Sequence, residues 1–296
     1  MIWIVRQGVS VLGKADLHIH STASDGSCQP VQLVQYAKDR KLATIAITDH
    51  DTVDGYLKAR SAAEKSGINL LPGVELTLLA DGVPIHVLAY EFEAESDPVT
   101  QLMKRQRFAR IRRMKRMLDV LESKHAISVT MDEVRAQARS ASPGRPHLAQ
   151  VLVRKKIVGS ISEAFIRYLA RPEIRTIGAE FATIDEAIKI IREAGGVTSL
   201  AHPGPIFSMN EVRRLVGFGL DGIECIHPSH DFSKQKRYLA FAEEEKLLVT
   251  GGSDYHGDGE GYAPWFGLLT LNEKRVASIR RLSENRKRLN IDYSEK

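Results

Sequence analysis

Short apolar runs alternate with stretches of helical periodicity over the first ninety residues. Ala15–His18, Thr44–Thr48, Ile68–Leu76 and Ile85–Tyr90 are rich in β-branched or other apolar side chains, a pattern that predicts strands. Pro30–Arg40 begins with a proline suited to a first helical turn, and Thr52–Lys65 follows a candidate capping residue, Asp51, so both predict helices. Strand, helix, strand alternation predicts βαβ units and a mainly parallel α/β sheet. The same grammar returns late in the chain. Asp185–Ala194 predicts a helix closed by Gly195-Gly196, with strands following at Val197–Ala201, Gly222–Ile226, Leu247–Thr250 and Phe266–Leu271.

The two ends therefore read as one interrupted domain, residues 1–96 and 183–296. Residues 97–182 read as a mainly helical insertion with a loop at Ser140–Gly144. Within the insertion, Lys104–Arg116 holds eight basic residues and no acidic one; against a formal net charge of +5, the rest of the chain is net acidic. Phe108, Ile111, Met114, Leu118 and Leu121 recur at near-helical spacing there, which predicts an amphipathic helix packed on its neighbours. Its charges either form a solvated face or attract RNA phosphates, and the lack of an interleaved aromatic ladder favours the solvated face.

Composition narrows the class. Apolar and charged fractions of 43% and 27% are ordinary for a folded chain and exclude disorder or a fibrous repeat. Met1–Leu12 lacks the basic start and sustained apolar core of a secretory leader, and no stretch approaches the roughly 18 apolar residues of a membrane span. Two cysteines, Cys28 and Cys225, are too few for a disulfide framework, which predicts a cytoplasmic protein.

The chemistry lies in histidines and carboxylates that end separate strands. His18 and His20 are two apart at a strand's end, so their side chains leave the same face and can converge on one ion. Asp25 follows in a glycine-containing turn, Asp49-His50-Asp51 ends the next strand, Glu75 the third, and His86 lies in the fourth. Later, His202 ends Val197–Ala201, and Asp254 and His256 follow Leu247–Thr250. Each has a plainer alternative: Asp25, Asp49 or Asp51 as a helix cap, Glu75 as a surface charge, His86 or His202 as a core histidine with its hydrogen bonds met. Nine ligand-type groups, all but His86 at or just past the carboxyl ends of strands, are harder to explain that way, because parallel α/β folds build their sites there.

The motifs resemble those of the PHP (polymerase and histidinol phosphatase) phosphoesterases: Asp-Leu-His-Ile-His at 16–20, Ser-Asp-Gly at 24–26, Ile-Thr-Asp-His-Asp at 47–51, Gly-Val-Glu at 73–75, Ala-His-Pro at 201–203 and Gly-Ser-Asp-Tyr-His at 252–256. That resemblance implies a distorted seven-stranded β/α barrel holding two or three divalent ions. It assigns His18, His20, Glu75 and Asp254 to one ion, Glu75 with His86 and His202 to a second, and Asp25, His50 and His256 to a third. Asp25 stands where several members have histidine, giving the third site a harder ligand set. Manganese is expected, with iron or zinc also suited to a mixed histidine and carboxylate set. Glu75, His202 and His256 are expected to carry turnover, in which a metal-activated hydroxide attacks phosphorus.

Asp49-His50-Asp51-Thr52, Gly195-Gly196 before Ala201-His202-Pro203, and the size of the insertion resemble the branch that removes the 3′-phosphate of 3′,5′-bisphosphonucleotides or shortens small RNAs from the 5′ end. The partner implied is a phosphorylated nucleotide or short RNA, with neither membrane nor protein partner indicated. Arg145, in Pro143-Gly144-Arg145-Pro146-His147, is suited to grip a second phosphate, with His230, His147 and His227 as further substrate-binding candidates. A histidinol-phosphate phosphatase would share the metal ligands and differ in substrate. A non-catalytic, metal-stabilised nucleic-acid-binding module would bind RNA without turnover.

Overall fold

The computed structural model describes residues 13–138, 142–204, 206–257 and 265–294. The reading of Met1–Leu12, and the Ser140-Ala141 start of the expected loop, lie outside the described residues.

Two mixed sheets form the frame. In the first, β1 (Lys14–Ile19) runs parallel to β2 (Leu42–Ile47), β2 runs parallel to β3 (Asn69–Leu71), and β9 (Leu271–Asn272) lies antiparallel on the other side of β1. In the second, β4 (Gly73–Ala80), β5 (Val83–Tyr90) and β6 (Val197–Leu200) are antiparallel neighbours, and β7 (Gly222–Ile226) and β8 (Leu248–Gly251) continue parallel to β6.

The expected mainly parallel sheet is thus a mixed one, and the cause is local. Asp81 and Gly82 both take left-handed backbone angles, φ 49° and 78°, as a two-residue hairpin requires, so β4 turns straight back into β5. The expected strand Ile68–Leu76 is split at Pro72, which has no N–H to give a ladder, and its halves join different sheets. Phe266–Leu271 is mostly a turn, closed by Leu268 and Leu269 N–H donating to the Trp265 carbonyl, and only its end pairs with β1.

No continuous ladder joins the sheets among the described residues. They meet instead at single parallel bridges, Ile19 with Tyr255 and His50 with Glu75. These seams bring the ends of β1 and β2 beside Tyr255 and the start of β4.

Helices α1 (Pro30–Asp39) and α2 (Asp54–Ser66) pack on the first sheet. Asp51 does not cap α2: its carboxylate turns inward, accepts the Thr77 N–H at 2.8 Å and pairs with Arg110. Helix α8 (Ile184–Glu193) buries Ile184, Ala187, Ile188 and Ile191 on one face at helical spacing. Together with α9 (Met209–Val216), α10 (Phe232–Glu244) and α11 (Glu273–Ser294), it covers the second sheet.

Between β5 and α8 run α3 (Asp97–His125), α4 (Met131–Ala138), α5 (Arg145–Arg154), α6 (Ile161–Ala164), a π-helical turn (Phe165–Leu169) and α7 (Pro172–Arg175). They share a separate apolar cluster that includes Met114, Leu118, Leu121, Leu148 and Leu152. Phe108, expected in the packed stripe, is 62% exposed. The basic residues of α3 are largely engaged: Arg105 with Glu186, Arg112 and Arg116 with Glu180, Arg107 with Asp54, and Arg110 with Asp51. The charge run therefore anchors α3 to its surroundings, neither wholly solvated nor wholly free for RNA. Cys28 and Cys225 are both buried and unbridged, and no helix among the described residues is long and apolar enough to cross a membrane.

Candidate metal centre

All nine expected ligand residues converge. His18 lies in β1 and His20 just past it; Asp25 follows in the next turn, and His50 comes three residues after β2. Glu75 lies near the start of β4, not at a strand's end as expected, and reaches the cluster because the bridge to His50 sets it beside the end of β2. His86 comes from β5, His202 from the turn after β6, and Asp254 and His256 from the segment after β8.

Glu75 is the centre of this arrangement. Its Oε2 lies 3.2 Å from His18 Nε2, 3.2 Å from His20 Nε2 and 3.3 Å from His50 Nδ1. Its Oε1 lies 2.8 Å from His202 Nε2 and 2.9 Å from His86 Nδ1. Asp254 Oδ1 closes the first set, 3.3 Å from His18 Nε2 and 3.2 Å from His20 Nε2. On the other side of His20, Asp25 lies 3.7 Å from His20 Nδ1, 3.8 Å from His50 Nε2 and 3.5 Å from His256 Nε2.

These groups suit a cation better than they suit one another. Among the described residues, both ring nitrogens of His20, Asp25 Oδ1 and His50 Nδ1 are buried without a hydrogen-bond partner, an arrangement that costs free energy unless something else satisfies them. Ligands at right angles around an ion bonded at roughly 2.1 Å lie about 3 Å apart, which is the spacing around Glu75. His20, Asp25, His50 and His256 form one group of converging ligand atoms; His18, His20, Glu75 and Asp254 form another; His50, Glu75 and His86 form a third.

The electrostatics follow from burial set against neighbours. Burial opposes ionisation of Glu75, yet His50, His86 and His18 outweigh it and hold the carboxyl well below the usual range. Burial disfavours a charged His20, but Asp254 and Glu75 overcome it and push the ring up to about 10.

Two residues of the cluster occupy left-handed backbone conformations, His202 at φ 27° and Asp254 at φ 50°. Such positions cost about 1–3 kcal/mol in a non-glycine residue and persist only when the surroundings impose them. For His202 the constraint is visible: its N–H donates to Glu224 Oε2 at 2.7 Å. Glu224 was not singled out in the sequence. Its other oxygen lies 2.9 Å from His18 Nδ1, the ring nitrogen turned away from Glu75. A fully buried carboxylate in the apolar strand β7 is the signal that points to it, since a ligating histidine needs a partner for its second nitrogen. Asp16 likewise holds the frame, accepting the Ser253 N–H at 2.9 Å, and Asp49 accepts from Ser21 and Ser24 rather than facing the cluster.

A cavity of about 650 Å³ opens from the cluster. Of the four substrate-binding candidates, Arg145 lines it. The three histidines are instead built into the framework. His147 Nδ1 accepts the Gly144 N–H at 3.0 Å; His227 Nε2 faces Asp254 Oδ2 at 3.3 Å; His230 donates from Nδ1 to the Cys225 carbonyl at 3.1 Å and accepts the Gly204 N–H at Nε2 at 3.0 Å.

An α/β frame that buries histidines and carboxylates around one central glutamate, beside an arginine-lined cavity, defines a metal-dependent phosphoesterase. Residues 16–197 match the PHP domain, and the chain belongs to that family. It is 34% identical over 248 residues to the 5′-3′ exoribonuclease of Haemophilus influenzae, covering 82% of this chain and 90% of that one. It is 28% identical to the 3′,5′-nucleoside bisphosphate phosphatase of Chromobacterium violaceum, covering 84% and 90%. A solved metal-dependent phosphoesterase structure from Bifidobacterium adolescentis superposes with a TM-score of 0.81 at 32% identity, over 92% of this chain and 96% of that one.

Proposed function

We propose that the protein removes the 3′-phosphate of 3′,5′-bisphosphonucleotides and trims short RNA from its 5′ end. The observation that carries this reading is the cavity itself, which joins the ligand cluster to an arginine-bearing wall, and the activities of the two named relatives support it.

In this reading His18, His20, Glu75 and Asp254 hold one divalent ion, Glu75 with His86 and His202 a second, and Asp25, His50 and His256 a third, with manganese the first candidate. Bound ions would lower the pKa of water and neutralise charge on the phosphate oxygens. The chain's own part is positional. Glu75 ties the first two ligand sets together through its two oxygens. Glu224 fixes His18 and the backbone of His202. Arg145 offers a planar fork to a phosphate other than the one being cleaved.

Domain roles follow. We read β1, β2, β4, β5, β6, β7 and β8 as an opened seven-stranded barrel with seams at the two single bridges, made from residues 1–96 and 183–296. The helical insertion 97–182 supplies the arginine wall. The two buried, unbridged cysteines accord with a cytoplasmic location.

The test compares manganese-loaded protein on adenosine 3′,5′-bisphosphate, a short 5′-phosphorylated RNA and histidinol phosphate. Phosphate release from the bisphosphate, or mononucleotide release from the RNA, supports the reading. Hydrolysis of histidinol phosphate alone overturns it.

A further inference from the structure

Both ring nitrogens of His50 face the ligand cluster, Nδ1 at 3.3 Å from Glu75 Oε2 and Nε2 at 3.8 Å from Asp25 Oδ2. Neither is left for a carboxylate behind the ring, the place that Glu224 takes behind His18. The orientation of His50 therefore depends on how its main chain is held. On either side of it the chain is tied to the central glutamate: the Glu75 N–H donates to the Asp49 carbonyl at 3.3 Å, and the Asp51 N–H donates to the Glu75 carbonyl at 2.9 Å. The carbonyl of His50 itself accepts from Ser142 Oγ at 2.8 Å, a hydroxyl carried by the loop before α5.

Asp51 sits at φ 54°, a left-handed angle that aspartate tolerates better than most residues but keeps only where its surroundings impose it. Here the surroundings belong largely to the insertion. The fully buried Asp51 carboxylate accepts the Thr77 N–H at 2.8 Å, two residues past Glu75 in β4, together with Gln106 Nε2 at 3.3 Å and Arg110 Nε. Gln106 and Arg110 are four apart on α3, so both reach this point from one face of the helix. Each is fixed in turn. Gln106 also donates to the Thr77 carbonyl and accepts the Ala182 N–H at 2.8 Å, and Arg110 donates to Thr77 Oγ1 at 2.9 Å. A chain of buried hydrogen bonds thus runs from α3 through Asp51 to the backbone around His50.

We propose that Asp51 and Ser142 are positioning residues for His50, and that the docking of the helical insertion through them sets the affinity of the ion held by Asp25, His50 and His256. This rests on the ligand assignment given under the proposed function and deepens it. Among the described residues neither side chain lines the cavity, so the effect runs through His50 and not through contact with substrate. Glu75 keeps its place through the ladder of β4 with β5, and Glu224 braces His18 and the backbone of His202. The loss of Asp51 or Ser142 therefore falls on the ion that His50 helps to hold and spares the other two.

The experiment titrates metal-free wild type, Asp51→Asn, Asp51→Gly and Ser142→Ala with manganese by calorimetry, alongside Arg286→Ala, which loosens α11 from Asp221. Asp51→Asn keeps an oxygen for the Thr77 N–H but loses the charge that pairs with Arg110, whereas Asp51→Gly accepts the left-handed angle but has no carboxylate. Wild type is expected to bind three ions. In both Asp51 variants one ion should weaken about ten- to a hundredfold while the other two keep their affinity, and in Ser142→Ala the same ion should weaken about fivefold. Arg286→Ala should bind all three as wild type does, which separates positioning from a general loss of stability. If breaking the buried pair with Arg110 stops the Asp51 variants from folding, Ser142→Ala carries the test. The proposal is overturned if Ser142→Ala and every folded Asp51 variant bind manganese as wild type does, or if Arg286→Ala loses the same ion. A wild type that takes up only two ions also overturns it and leaves the metal-dependent reading standing; one that takes up none overturns both.

Discussion

Glu224 Oε1 lies 2.9 Å from His18 Nδ1, deep in β7 and β1, with neither residue exposed to solvent. The contact orients the imidazole so that its other nitrogen faces Glu75 and Asp254. Glu224→Ala should therefore weaken metal binding by about ten- to a hundredfold, as loss of a carboxylate behind a ligating histidine generally does. Calorimetric titration of the metal-free protein with manganese measures this directly. An unchanged affinity would show that His18 is held by packing alone.

The docking of α11 rests on a different pair. Arg286 grips Asp221 at 2.8 and 2.5 Å and also donates to the Gly196 carbonyl at 2.7 Å. Asp221 has only 8% of its side chain exposed, so Arg286→Ala leaves a carboxylate nearly buried and without its closest cation. The expected loss is about 3 kcal/mol of unfolding free energy, read from urea denaturation. A loss below about 1 kcal/mol would place the pair among exposed ion pairs of little consequence.

Burial pushes His230 down to about 4, against the pull of the Cys225 carbonyl. The folded protein therefore binds fewer protons than the unfolded chain between about pH 6.5 and 4. Stability from this group is present above the unfolded pKa and is lost as pH falls through that window. Replacing His230 with Gln should flatten the fall in stability from pH 6.5 to 4 by roughly 2–3 kcal/mol, checked by denaturant titrations at both pH values. Identical pH slopes in the two proteins would contradict the assignment of His230 as a neutral bridge between Gly204 and Cys225.

How far the sequence revealed this molecule depends on whether the information was local. The histidines and carboxylates that converge around Glu75 were legible because most of them follow apolar strands at short spacing, as His18 and His20 do after Ala15–Leu17. The Asp81-Gly82 hairpin was also written locally, as a two-residue turn between apolar runs, and the parallel expectation passed over it. Pro72 likewise marked a break between two strands that was read as one. Glu224 was different in kind: its role depends on a contact with a residue 206 positions away, which no local pattern encodes. The same holds for His227 and His230, whose hydrogen bonds to Asp254 and to the Gly204 N–H exist only once the loops have folded. The arginine wall was legible at Arg145 alone, because Arg113 and Arg175, which also line the cavity, meet it through tertiary packing.

The central claim is that the Glu75 cluster is a metal-dependent phosphoesterase centre. Its most direct test is phosphate release from adenosine 3′,5′-bisphosphate by chelator-stripped protein before and after manganese is restored, with Glu75→Ala treated alongside. The account predicts no release from stripped wild type, recovery on adding manganese, and none from Glu75→Ala under either condition while its circular dichroism keeps the helical signal. Full turnover by the stripped protein, or near-normal turnover by Glu75→Ala, would contradict it.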